Sequence, residues 1–569
     1  MKSIKQFLNS QQTSIFSAAT VIMLMVVGSR LLGLVRQRIL ANFFSAGDLA
    51  LFFAAFRLPD LIFEVLIYGT FASAFIPVFT KALKDKDKEV WQIASTVTSI
   101  GLLTFSILAV LVIVFADKLY GFMAPGFGPE FQDKIVFLSR ILFAAQGFFV
   151  VSYVLTAVLE SSRRFLIPAI APLFYNIGII LGTVLFSSRL GLLGPVLGVV
   201  IGAASHALIQ LPLAVKLGFR FSFKVRLNDE VKKIGKLAFP RMIEISFLQV
   251  AKSVELFLAS LISTASYTYF TFGNSLQLLP VGLFGTSIAK AALPTLSRQA
   301  ESKEEFRRTL LSALYQVAFF VLPVSVALIV LRVPLVRLVF GTDIFSWEST
   351  VQTSMVVSAF GVGVIFQVMA SILARGFYAL HDTRTPVIIS IFSIVLNIIL
   401  DFVLIRIFNF PVWGLAAAFS FACFVQVVIL FFLMIRRVYE RFSFGLFLPF
   451  IKSLVASSLA GAVMFFILKI FDKSVWVRRL SFLGKIDIGR SIPFQKFVLD
   501  TRYTINLLVL TVIVVFVGIL VYLFLSLLFK SGELKYFLKF IRKIFTAGKL
   551  TPIPEKTSEP ISPNPLDNN

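Results

Sequence analysis

Arginines stand in this chain where a lipid bilayer should exclude them. In "SRLLGLVRQRILANFFSAGDLALFFAAFRLP", Ser29 to Pro59, the residues Arg30, Arg36, Arg38 and Arg57 sit inside and between two strongly apolar segments. A membrane-centre arginine costs roughly 3 kcal/mol on insertion scales, so several together imply a use. Arg30 and Arg36 are six positions apart, hence about 120° from facing each other around a helix. With Arg57 on the next segment they could line a water-filled cavity and meet an anionic headgroup. The planar guanidinium suits this, because it binds phosphate through two parallel N–H bonds and stays charged in a partly dry site. The alternative is structural: Arg36 and Arg38 snorkel to the interface, and Arg57 pairs with Asp60 or Glu64.

Further along, the seventh and eighth apolar segments carry Lys252, Glu255 and Lys290. Lys252 and Glu255 stand at i,i+3, so they could simply neutralise each other. The eleventh carries Asn397 and Asp401, one helical turn apart on one face. Together with a glutamate they offer hard oxygen ligands for Na⁺, or a proton site. The alternative is a hydrogen bond tying the eleventh segment to the seventh. His206 lies mid-helix and reads as a packing or hydrogen-bonding residue; Cys423, the one cysteine, reads as a buried inert thiol. There is no GxxxxGK[ST] loop, no HExxH and no CxxC. Nothing supports ATP hydrolysis or group transfer, so a carrier or flippase driven by gradients or substrate binding is the expected class rather than an enzyme.

The elements that must position these groups are membrane helices. Of 569 residues, 58% are hydrophobic and 15% charged, and mean hydropathy is +0.92; soluble domains are less apolar and more charged. The net charge of +25 fits cytoplasmic loops facing anionic lipid rather than nucleic acid. About fourteen apolar segments of about 20 residues read as spans of an all-α integral membrane protein. The first, from about Ile15 to Val27, is followed by no small-x-small cleavage site, so a retained helix is expected. One set of loops holds Lys81–Lys88, Arg163-Arg164, Lys216–Lys236, Arg298–Arg308, His381–Arg384, Arg436-Arg437 and the tail after Lys530. That excess places both termini in the cytoplasm, against the local exception of the basic stretch Lys473–Arg502. The basic linker after the sixth segment divides the chain into a first six-helix lobe (1–218), the linker (219–236) and a second six-helix lobe (237–440). Two further helices (441–530) and a cytoplasmic tail (531–569) with a disordered distal part follow. Each half ends a helix with a similar motif, Arg163-Arg164-Phe165-Leu166-Ile167-Pro168 and Thr383-Arg384-Thr385-Pro386, as expected of two structural repeats.

"GSRLLGLVRQRILANFFSAG", "FRLPDL", "FASAFIPVF", "APGF", "RRFLIPAIAPLFYNIG", "LPTLSRQ" and "ARGFYALHDTRTPV" occur in that order between about Gly28 and Arg437. They resemble the lipid II flippases of the MurJ/MviN family, in the multidrug/oligosaccharidyl-lipid/polysaccharide exporter superfamily. The resemblance implies two six-helix lobes around a cationic central cavity, with two C-terminal helices forming a groove for a lipid tail. It implies a carrier that moves lipid II, an undecaprenyl-diphosphate-linked disaccharide-peptide, from the inner to the outer leaflet by alternating access, for cell-wall synthesis. The implied setting is the bacterial cytoplasmic membrane, with membrane lipids and cell-wall synthesis proteins as partners. Arg30 and Arg36 match the arginines expected to hold the diphosphate, with Arg57 beside them. Glu255, Asn397 and Asp401 match positions for Na⁺ or a proton, with the main chain of Trp413; a threonine expected there is Ala417. Gly33 and Gly69 are the glycines at which the first two helices would bend. The chain departs from the family at Phe63-Glu64, where a pair of arginines is common, and at Tyr68, commonly a glutamate. It departs again at Ser275, usually an arginine, and at Asp48, one turn out of register. Lys252 and Lys290 could replace the lost cations, entering one lobe from different helix faces. Those losses leave a second reading, a flippase for another polyprenyl-diphosphate-linked saccharide of O-antigen or capsule type. A third, a drug antiporter or a non-transporting scaffold, fits the basic residues less well.

Overall fold

A backbone surrounded by hydrocarbon must satisfy its own N–H and C=O groups, which apolar runs of this length do as helices. The structure, a computed structural model, describes residues 15–84, 89–223, 225–438, 444–472, 499–501 and 503–534. Apart from one bridge between Asp472 and Leu499, its regular structure is helical. The tail and most of the stretch 473–502 lie outside the described residues. By packing, the chain forms two units: one reaches Thr268 and includes Thr342–Phe345, and the other comprises Tyr269–Gly341 and the described chain from Ser346 onward.

The first unit contains α1 (Ile15–Phe43), α2 (Ala46–Ala55), α3 (Arg57–Phe63), a π-helical turn (Glu64–Tyr68) and α4 (Gly69–Lys84). It continues with α5 (Val90–Met123), α6 (Pro129–Ser161), α7 (Leu166–Leu190), α8 (Leu193–Leu208), α9 (Leu211–Leu217) and α10 (Asp229–Ile262). Glycines bring α7 and α8 into backbone contact. A Cβ at Gly178 would lie 2.5 Å from Gly202 Cα, and one at Gly198 would lie 2.6 Å from the Gly178 carbonyl. Helices in lipid associate through such small-residue faces, because no hydrophobic drive separates helix from tail. The Gly126 N–H meets Ser260 Oγ at 3.2 Å, tying α10 to the α5–α6 turn.

The second unit contains α11 (Ser266–Pro280, whose first turn lies before the unit boundary), a π turn (Val281–Gly285), α12 (Thr286–Arg298), α13 (Lys303–Val330) and α14 (Arg332–Phe340). Then come α15 (Trp347–Ala379), α16 (Arg384–Phe402), a π turn (Val403–Ile407), α17 (Trp413–Val438), α18 (Leu448–Phe471) and α19 (Thr504–Leu528). α15 is its central helix, buried against α13 and α17. The last two helices pack on α13: the Tyr522 hydroxyl donates to the Phe319 carbonyl at 2.7 Å, and Met464 packs with Leu510 and Val514.

Eleven helices among the described residues are long and apolar enough to cross a membrane. The expected first, second and eighth spans include side chains outside the described ones. The second and eighth each carry a π turn, at Glu64–Tyr68 and Val281–Gly285, 217 positions apart. A helix-ending turn repeats with almost the same offset. Arg163 (φ 59°) closes α6 while the Arg164 N–H donates to Leu159 O at 2.8 Å; His381 (φ 58°) closes α15 while the Asp382 N–H donates to Phe377 O at 3.0 Å. Both are left-handed helix caps at a non-glycine residue, and a proline follows in the next helix each time, Pro168 and Pro386. This register is the repeat that residue identity does not reveal. It assigns α10 to the second half, yet α10 packs in the first unit, beyond the linker at 219–236 where the sequence puts the lobe boundary.

Candidate functional site

Arg57, Asp60 and Glu64 follow at steps of three and four, so the second span presents all three on one face. Gln249, Lys252 and Glu255 follow at steps of three on α10 and fan over about 120° of it. The two faces meet. Arg57, only 5% exposed, donates from Nη2 to Gln249 Oε1, and Gln249 donates from Nε2 to Glu64 Oε2. Lys252 Nζ stands 2.8 Å from the same Glu64 oxygen, its side chain 44% exposed. From α6, Gln146 Nε2 donates to Asp60 Oδ1 at 2.5 Å. Glu255 lies within electrostatic range of both Lys252 and Arg57. The relay therefore gathers two cations and three carboxylates through two buried glutamines. That differs from a purely cationic wall.

Both simple pairings read from the sequence are replaced. Arg57 reaches Glu64 through Gln249 rather than directly, and no ion pair joins it to Asp60 among the described residues. Lys252 pairs with Glu64, not with its helix neighbour Glu255. The reason is the π turn, which ends α3 and sets the Glu64 carboxylate toward α10. Gln249 and Gln146 escaped the sequence analysis, although the spacing of Gln249, Lys252 and Glu255 was a usable signal.

Arg36 Nη1 donates to Asn176 Oδ1 on α7 at 3.0 Å, and Asn176 Nδ2 donates back to Ser29 Oγ at 3.3 Å. Arg36 is thus held inside the first unit by a neutral partner instead of snorkelling. The Nε atoms of Arg36 and Arg57 are buried without an acceptor among the described residues. Arg30 lies two turns earlier, half-buried. Gly33 sits mid-helix, where α1 runs unbroken; Gly69 opens α4 directly after the π turn.

The departures from the family's motifs have structural accounts. Phe63 is buried, 5.8 Å from the Phe149 ring and 5.4 Å from that of Tyr153, so an aromatic nest occupies the arginine position. Ser275 Oγ donates to the Thr271 carbonyl of its own helix at 2.9 Å. Asp48 caps α2 with Ser45, whose Oγ accepts from the Asp48 N–H at 3.1 Å. His206 is buried with Nδ1 2.5 Å from Ser152 Oγ and takes the packing role expected of it. Cys423 is buried and free.

In the second unit Asn397 and Asp401 are both buried, and Asn397 Nδ2 donates to Asp401 Oδ2 at 3.0 Å. This bond runs along one helix rather than tying two together. Asn397 Oδ1 accepts no hydrogen bond among the described residues, and a buried unmet oxygen beside a carboxylate suits a cation. Glu255 belongs to the other unit. Lys290 falls on α12 of the second unit and Lys252 on α10 of the first, so they do not enter one lobe together; the Lys290 side chain lies outside the described ones. The motif around His381 makes a clamp. Asp382 accepts from the Thr385 N–H (3.0 Å) and hydroxyl (2.6 Å) and pairs with Arg437 at 2.6 Å.

A family model described as lipid II flippase MurJ matches residues 39–486, most of the chain. The chain belongs to the lipid II flippase MurJ family. A protein of Vibrio cholerae named probable lipid II flippase MurJ is 28% identical over 470 residues, covering 79% of this chain and 88% of the relative. One of Thermotoga maritima with the same name is 26% identical over 517 residues, covering 90% and 96%. A solved structure described as lipid II flippase MurJ in an inward closed conformation aligns with TM-score 0.71 at 24% identity, covering 90% of this chain and 99% of that one. A multidrug resistance MATE family transporter of the MOP superfamily aligns in its inward-facing conformation with TM-score 0.59 at 16% identity, covering 72% and 94%; at this identity the likeness is one of fold. MurJ-family proteins are transporters, not enzymes, and this member is a multi-pass protein of the bacterial cytoplasmic membrane.

Proposed function

We propose that this MurJ-family protein carries the headgroup of lipid II from the inner to the outer leaflet by alternating access, while the polyprenyl tail stays in lipid. The observation that carries the reading is the Arg57–Gln249–Glu64–Lys252 relay, charged groups held at a π turn inside an apolar span. π-Helical turns inside α-helices frequently mark functional sites, and here one stands at corresponding positions of the two repeats. In this account Glu64 is an internal counterion. The arriving diphosphate takes Lys252 from it and draws on Arg57, Arg36 and Arg30, with Lys290 contributing from the second half. Gly69 and Gly33 are the bending points. Basic loops set both termini in the cytoplasm, and the tail lies along α18 and α19.

Reset needs a charge to move back. Asn397 and Asp401, with Glu255 from the other unit, would hold Na⁺ or a proton, whose contribution is to change the charge of the empty carrier. One charge moved through 100 mV is worth about 2.3 kcal/mol. Cell-wall synthesis proteins are the expected partners, as consumers of the flipped lipid. The losses at Phe63 and Ser275 favour a second substrate, another polyprenyl-diphosphate-linked saccharide. Liposomes containing the purified protein and fluorescent lipid II, beside liposomes with a lipid-linked O-antigen unit, decide between them. Protein-dependent exposure of lipid II alone supports the proposal, and exposure of the O-antigen lipid alone overturns it.

A further inference from the structure

Asp60 stands inside an apolar span and is held by a neutral amide. Gln146 Nε2 donates to its Oδ1 at 2.5 Å, and no ion pair reaches it among the described residues. Gln146 is 4% exposed, and its Oε1 meets no donor among the described residues. Turning the amide over would not mend this. It would set Oε1 against a carboxylate oxygen, acceptor against acceptor. A donor on the carboxyl satisfies both groups. A carboxylic acid and a primary amide pair through two bonds, amide N–H to acid carbonyl and acid O–H to amide oxygen. The first bond is made here; a proton on Asp60 Oδ2 would supply the second.

The surrounding charge points to the same proton. On its own span Asp60 feels Arg57 and Glu64, and from α10 it feels Lys252. Tyr120 of α5, Tyr175 of α7 and Tyr267 at the start of α11 are the other titratable groups in electrostatic range. Neither α2 nor α6 presents a charged group in that range among the described residues. With Glu255 the relay holds three carboxylates against two cations. That surplus of one negative charge is costly at bilayer depth.

We propose that Asp60 and Gln146 form a proton-binding site of the first unit, separate from Asn397 and Asp401 in the second, and that its proton is taken up together with the diphosphate. The step is a plain protonation. H⁺ from bulk water adds to the half-buried carboxyl, an O–H bond forms on Oδ2, and the hydrogen bond to Gln146 Oε1 closes. The surplus charge is then cancelled. Removing a negative charge beside Lys252 and Arg57 favours an arriving anion, and the anion favours the neutral carboxyl by the same factor. The site stands apart from the transport reading; the coupling rests on it, because that reading names the anion.

Infrared difference spectra of the full-length protein in nanodiscs, taken without substrate between about pH 8 and about pH 5, test the site. The parent should gain the carbonyl band of a protonated carboxyl as pH falls. Asp60→Asn should lose that band, while Glu64→Gln and Glu255→Gln keep it. Gln146→Leu should keep the band and move it to higher frequency, because the carbonyl loses its donor; this variant decides the matter if Asp60→Asn does not fold. Lipid II binding tests the coupling. Affinity should rise as pH falls, by up to about tenfold per pH unit for one linked proton, and Asp60→Asn should lose that dependence. A band indifferent to both Asp60→Asn and Gln146→Leu overturns the site. Equal pH dependence of lipid II binding in parent and Asp60→Asn overturns the coupling alone. A parent that shows the band and binds no lipid II at any pH leaves the site standing and overturns the proposed substrate, with the coupling to it.

Discussion

Replacing Lys252 by alanine tests whether Glu64 and a diphosphate compete for one cation. In the relay Lys252 Nζ lies 2.8 Å from Glu64, with the two side chains 44% and 27% exposed. A hydrogen bond to a charged group is worth about 1.5–3 kcal/mol, and half-exposure moves this pair toward the low end. Lys252→Ala should therefore weaken lipid II binding and slow initial flipping in liposomes by about 1.5 kcal/mol, roughly tenfold. Part of that loss is repulsion, because Glu64 would then face the phosphates with only Gln249 to hold it. Adding Glu64→Gln removes the repulsion, so the double variant should recover by about 1 kcal/mol, around fivefold, over Lys252→Ala alone. Lys252→Arg should keep most of the activity, since the charge persists. The reasoning fails if Lys252→Ala flips at the parental rate, or if the double variant is as slow as the product of the two single losses. That second result would make Glu64 a direct ligand or a mere structural group.

Two further outcomes follow from the same geometry. At the α15–α16 turn, burial works against charge on Asp382, but the Thr385 hydrogen bonds and Arg437 outweigh it and hold its carboxyl below the usual range. A depressed value stabilises the fold above the unfolded-state pKa of about 3.9 and loses that contribution as pH falls through the native one. The stability gap between the parent and Asp382→Asn should thus be constant at neutral pH and close below about pH 4, read from unfolding midpoints. Phe63→Arg, which restores a common family residue, should not improve flipping. It should instead cost several kcal/mol, seen as a lower melting temperature, because the nest of Phe149 and Tyr153 offers no counterion.

Hydropathy and charge placement carried the membrane class, most of the spans and the two-part organisation, because each depends on runs of side chains in one dimension. The intramembrane charges were equally plain: a cation in an apolar run is costly wherever the chain goes, so Arg30, Arg36, Arg57 and Lys252 stood out as candidates. The partners did not. Glu64 lies 188 positions from Lys252, and 185 from Gln249, and no local spacing says that a π turn will set that carboxylate toward α10. Nor does spacing place α10 with the first unit while its register belongs to the second half. Asn176, which holds Arg36, and Gln146, which holds Asp60, are likewise products of packing between distant segments. Periodicity determines which face a residue occupies; only the folded chain decides what that face meets, since long-range contacts are chosen by the fit of whole helices.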